Sequence, residues 1–140
     1  MTDAGSPLGR VLVIDDDPML RRIVGRMLST VGYDALTACD ATSAYAILAE
    51  TRIDAVLLDL RMPDVPGDAL FYAIVRRWPR LTGRIALMSG DVWEIEAEGP
   101  AELRACPMLA KPFGLGELAV LLARLTAGEG EDVRRQGSGG

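Results

Sequence analysis

Residues 10–18 read RVLVIDDDP, and this stretch decides the fold. A short run of mostly β-branched, apolar residues ends abruptly at three aspartates, the pattern of a strand buried on both faces. Asp17 stands where a helix N-cap belongs, and Pro18 suits the first helical position. Beyond it Met19, Leu20, Ile23, Val24, Met27, Leu28 and Val31 recur at three- and four-residue steps, with Arg21, Arg22 and Arg26 between them and Gly32 as the expected stop. A buried strand, an acidic edge and an amphipathic helix therefore follow one another directly.

Outward from this unit the pattern repeats. Strands are predicted at 34–38, at 55–58 ending on Asp59, at 85–88 ending on Ser89, and at 108–110 ending on Lys111. Helices are predicted at 41–51, 68–78 and 115–127, the last with Leu118, Leu121, Leu122 and Leu125 on its inner face. Alternation with short links implies parallel crossovers, hence an α/β fold. The common arrangement for five such strands is a flavodoxin-like doubly wound parallel sheet of order 2-1-3-4-5 with helices on both faces. A helix is also due within 92–107, but Gly99 and Pro100 interrupt it, and a proline inside a helix costs about 3 kcal/mol. A broken or shortened helix is expected there. Residues 1–8 and 128–140 have the composition of disordered ends, which leaves 9–127 as the single domain.

The chain of 140 residues is 49% hydrophobic and 25% charged, with net charge −5. That is enough to bury one core and too little for a two-domain enzyme. No apolar run is long enough for a membrane span, and the start lacks the pattern of a signal peptide, so a cytoplasmic protein without membrane contact is expected. The acidic balance offers no basic face for direct DNA binding. Cys39 and Cys106 lack metal-like spacing and read as small reduced hydrophobes. There is no histidine, which removes histidine-based nucleophile pairs, general bases and zinc sites together. Lys111 is the only lysine.

In a parallel sheet the carboxyl ends of the strands share one edge, and ligands bind there at the switch point of strand order. Asp15, Asp16 and Asp59 thus converge on one crevice, with Ser89 and Lys111 beside them. Close carboxylates repel and raise one another's pKa unless a cation compensates. Oxygen-only donors suit Mg²⁺, while an amine and a hydroxyl suit the oxygens of a phosphoryl group.

Over roughly residues 10–126 these features resemble the receiver domains of two-component response regulators, of which the bacterial chemotaxis regulator is the simplest member. VLVIDDDP is similar to that family's acidic-pair motif, VLLDLRMPDVPG to its phosphoacceptor segment, ALMSG to its strand with a terminal Thr or Ser, and LAKPF to its Lys-Pro motif. The resemblance implies a phosphorelay role. Asp59 would accept a phosphoryl group from a phosphohistidine of a sensor histidine kinase or a phosphotransfer protein. Mg²⁺ would be held by Asp16, Asp59 and the backbone carbonyl of Arg61, with Asp15 acting through water. Lys111 and Ser89 would contact phosphoryl oxygens, and movement of Ser89 would repack the output face for an unspecified downstream protein. Such a protein is no turnover enzyme, since it catalyses only its own phosphorylation and dephosphorylation. The motif also implies a cis Lys111–Pro112 bond.

Two departures bear on output. Met108 occupies the strand-five position where the family carries Tyr or Phe, and the segment after strand four is interrupted at Gly99–Pro100. Arg61 and Asp91, each two positions beyond a site residue and oppositely charged, are expected to lean over the mouth and set the lifetime of the phosphorylated state. A haloacid dehalogenase-type enzyme fails on its signature, both at Asp15–Met19 and at Asp59–Arg61, and neither GxGxxG nor GxxxxGKS is present for a nucleotide. The remaining alternative is a receiver-shaped interaction module that works without phosphorylation. The full set of Asp15, Asp16, Asp59, Ser89 and Lys111 argues against it.

Overall fold

The computed structural model describes residues 8–62, 67–90 and 105–137. Chain order is β1 (Arg10–Ile14), α1 (Pro18–Thr30), β2 (Asp34–Ala38), α2 (Ala41–Glu50), β3 (Ala55–Asp59), α3 (Gly67–Arg77), a 3₁₀ turn (Pro79–Leu81), β4 (Ile85–Ser89), β5 (Met108–Ala110) and α4 (Leu115–Gly137). The strands form one parallel sheet of order β2-β1-β3-β4-β5. This is the predicted doubly wound arrangement.

Strand alternation divides the core in two. Leu12, Ile14, Val56, Leu58, Ile85 and Leu87 face α2 and α3. Val11, Val13, Leu57, Ala86 and Met88 face α1 and α4 through Val24, Leu28, Leu118 and Leu122. Both faces of β1, β3 and β4 are covered, which explains why their sequences show no polar alternation. Each fully buried leucine contributes about 1.5–3 kcal/mol relative to exposure.

The ends of α1 follow from its sequence. Asp17 accepts from the N–H groups of Met19 (3.0 Å) and Leu20 (3.4 Å), and Pro18 opens the helix. Gly32 then turns with φ +102°, and a side chain there would also meet Leu8 at 3.0 Å. Leu8 itself donates its N–H to the Gly32 carbonyl at 2.8 Å, so order begins inside the span expected to be disordered; residues 1–7 lie outside the described residues.

The last helix is longer than its apolar periodicity indicates. Composition predicts disorder from 128 onward, yet α4 continues past Ala127 to Gly137. Extending an existing helix fixes one residue per hydrogen bond gained, without the cost of a new nucleus. Gly128 and Gly130 oppose this by about 1 kcal/mol each, but no proline follows to stop it. The interruption expected within 92–107, and Asp91, fall largely in 91–104, outside the described residues. Among the described residues no helix is long and apolar enough to cross a membrane.

Candidate functional site

Register brings the strand ends together. Ile14 is paired with Leu58, so the residues that follow, Asp15 and Asp59, emerge side by side at the crossing from β1 to β3. Ser89 ends β4 opposite Ala110, and Lys111 comes next. The Lys111 N–H donates to the Ser89 carbonyl at 2.9 Å, carrying the ladder one step past the strand. The Lys111–Pro112 bond is cis, as expected.

Asp15 is fully buried and Asp59 is 3% exposed, whereas Asp16 is exposed. The three offer carboxylate oxygens within 4.8 Å of one another. The Lys111 amine lies 3.2 Å from Asp15 Oδ2 and 3.4 Å from Asp59 Oδ1, so a single cation spans both shielded carboxylates. The second Asp15 oxygen accepts the Asp17 N–H at 2.9 Å, and Asp59 Oδ1 accepts the Arg61 N–H at 3.1 Å. Burial pushes the Asp15 carboxyl above its ordinary value and repulsion from Asp59 adds to this, while the Asp17 N–H and Lys111 oppose it. The cluster is therefore short of positive charge. Its donors are oxygens alone, and one carboxylate is open to solvent, which fits a hard divalent cation that keeps part of its water, such as Mg²⁺.

Ser89 is 2% exposed on the same edge. Arg61 is exposed just beyond Asp59, and Met108 is half-buried against the α2–α3 side of the core, with Leu87 as its strand partner. The partner expected for Arg61, Asp91, is outside the described residues.

Two contributors were missed in the sequence. Arg21 donates through its guanidinium to the Asp15 backbone carbonyl at 2.7 Å, and Asp17 contributes its N–H to the Asp15 carboxylate. In the sequence Arg21 reads only as a polar residue on an amphipathic helix. The available signal was its place in the first turn after an Asp-Pro start, because helical side chains lean toward the N-terminus and hence toward the strand end.

Residues 11–123 match the family described as response regulator receiver domain. Among curated proteins, the chain is 32% identical over 127 residues to the DNA-binding transcriptional regulator NtrC of a Bradyrhizobium species, covering 91% of this chain and 26% of that protein. It is 34% identical to the transcriptional regulatory protein KdpE of Mycobacterium tuberculosis, covering 84% of this chain and 49% of that one. The chain thus spans about a quarter to a half of the length of these relatives. Among solved structures, a sensor protein from a Polaromonas species is similar with TM-score 0.78 and 28% identity, covering 87% of this chain and 98% of that one.

Proposed function

Since the chain belongs to the response regulator receiver domain family, we propose that it is a phosphoacceptor of a two-component or phosphorelay system, with Asp59 as the acceptor. The observation that carries this reading is the Lys111 amine within reach of both Asp15 and Asp59, beside an exposed Asp16.

An oxygen of Asp59 attacks the phosphorus of a donor phosphohistidine. The phosphorus–nitrogen bond breaks, its electron pair stays with the imidazole, and an acyl phosphate forms on Asp59. These 140 residues contain no histidine, so the phosphohistidine lies outside them, on a sensor kinase or phosphotransfer domain. Mg²⁺, held by Asp16, Asp59 and the Arg61 carbonyl, with Asp15 acting through water, would neutralise charge between the acceptor carboxylate and the incoming phosphoryl oxygens. Lys111 pairs with one phosphoryl oxygen and the Ser89 hydroxyl hydrogen-bonds another, which draws the loop after β4 toward the site. Because Met108 stands where an aromatic would swing, the rearrangement read by the downstream protein concentrates in that loop and less in β5. This role needs neither membrane nor DNA contact by the domain and belongs in the cytoplasm.

Incubation with acetyl phosphate and Mg²⁺, followed by intact-mass spectrometry, tests the proposal. The parent gains one phosphoryl group and Asp59→Asn gains none. Equal phosphorylation of the variant overturns it.

A further inference from the structure

A cavity lies at the opposite edge of the sheet from the aspartates. It has a volume of about 540 Å³ and opens where α3, the turn before β4, the approach to β5 and α4 meet. That volume is in the range of small-molecule sites. Its walls are Phe71 of α3, Ile85 at the start of β4, Cys106 and Pro107 before β5, and Leu125 of α4. Phe71, Ile85 and Leu125, 6%, 1% and 2% exposed, close its floor, while the half-buried Cys106 and Pro107 and the exposed Ala105 stand open on its wall. Gly83, with φ +82°, lines it without a side chain, and a Cβ there would meet nothing within 4 Å.

Arg124 is the single charged residue among the described residues that line the cavity, and it is exposed on α4 with no ion pair to another described residue. Burial pushes the Cys106 thiol up to about 11, so that wall stays neutral at physiological pH. An apolar chamber with one cation at its mouth selects an apolar body carrying one anionic group.

We propose that this cavity is a binding site for a small aromatic or aliphatic acid, its apolar part against Ala105, Cys106 and Pro107 over the Phe71 floor and its carboxylate or sulfonate at Arg124. The site stands apart from the acidic cluster. Ile85 and Ser89 are opposite ends of β4, about 13 Å apart at strand rise, and Pro107 precedes the strand that Lys111 follows. The proposal is therefore independent of phosphorylation at Asp59.

The probe is 8-anilinonaphthalene-1-sulfonate, with uncharged N-phenyl-1-naphthylamine as its sulfonate-free counterpart, both followed by fluorescence titration of the full chain. The parent binds one sulfonate probe saturably, at least about tenfold more tightly than the neutral one, as a charge-assisted contact requires. Arg124→Gln lowers affinity for the sulfonate about tenfold and leaves the neutral probe unchanged. Ala105→Leu, at an exposed position on the wall, weakens both. A groove between α2 and α3 lined by Tyr45 and Trp78 also carries an arginine, Arg77, held 5.3 Å over the Trp78 ring; Arg77→Gln leaves binding unchanged. Circular dichroism melts confirm that the variants fold. Absence of saturable binding, equal affinity for the two probes, insensitivity to Arg124→Gln or Ala105→Leu, or loss on Arg77→Gln instead, each overturns the assignment.

Discussion

Asp15 lies buried beside Asp59, and that burial, with repulsion from Asp59 added, holds the Asp15 carboxyl above its ordinary pKa. The folded chain thus binds a proton on Asp15 more tightly than the unfolded chain does. Linkage then has a fixed sign: this group's contribution to stability is greatest below its ordinary value of 3.8 and falls as pH rises through its raised native value. Asp15→Asn should remove that slope and raise the melting temperature of the metal-free protein near neutral pH. Urea melts of both proteins across the acid range, without Mg²⁺, measure it; parallel pH profiles would contradict the assigned cause.

Lys111→Met leaves Asp15 buried without its amine. Loss of a partner for a buried acceptor costs about 1–3 kcal/mol, partly recovered when Asp15 takes up a proton. Removing a positioned charge from a transferring group costs roughly a hundredfold in rate. The expected result is a less stable protein that acetyl phosphate labels about a hundredfold more slowly. Lys111→Arg should restore stability better than rate, because a planar fork does not reproduce a point charge. Denaturant melts and initial labelling rates separate the two effects.

Mg²⁺ should raise the melting temperature, since the folded cluster assembles donors that the unfolded chain scatters. At a concentration a hundred times the dissociation constant the gain is about 2.7 kcal/mol, or roughly 10 °C for a domain of this size. EDTA should reverse it and Asp16→Asn should abolish most of it. Calorimetry with and without metal is the check, and an Asp16→Asn variant stabilised as fully as the parent would place the cation elsewhere.

Arg61→Ala should shorten the life of the phosphorylated form about threefold, which corresponds to well under 1 kcal/mol of barrier. Arg61 is exposed two positions beyond Asp59, the proposed acceptor, and its backbone N–H already contacts the Asp59 carboxylate. Loss of phosphate after donor removal at constant Mg²⁺ gives the rate, and unchanged decay rejects a gating role for this side chain.

The strands and the site edge were legible because burial on two faces leaves a strong mark. Val11 to Ile14 and Val56 to Leu58 carry no polar residue, and the first polar side chain marks the end of the strand. The cap at Asp17 and the stop at Gly32 were readable for the same local reason. What escaped depends on propagation or on distance in the chain. The extension of α4 to Gly137 follows from a helix already nucleated, which composition does not register. The pairing of Arg21 with the Asp15 carbonyl, the 3₁₀ turn at Pro79–Leu81 and the cavity beside Arg124 arise only once separate elements are packed. The double contact of Lys111 is intermediate. Its position was evident from the strand pattern, while its reach to two carboxylates required the register.

Lys111 bridges Asp15 and Asp59 and is also the only lysine of the chain. Mild reductive ¹³C-methylation, which preserves the positive charge, would therefore install one side-chain reporter, seated between two carboxylates. Its NMR frequency would follow the charge state of this single cluster through metal binding, phosphoryl transfer and decay, with no other ε-amine to overlap it.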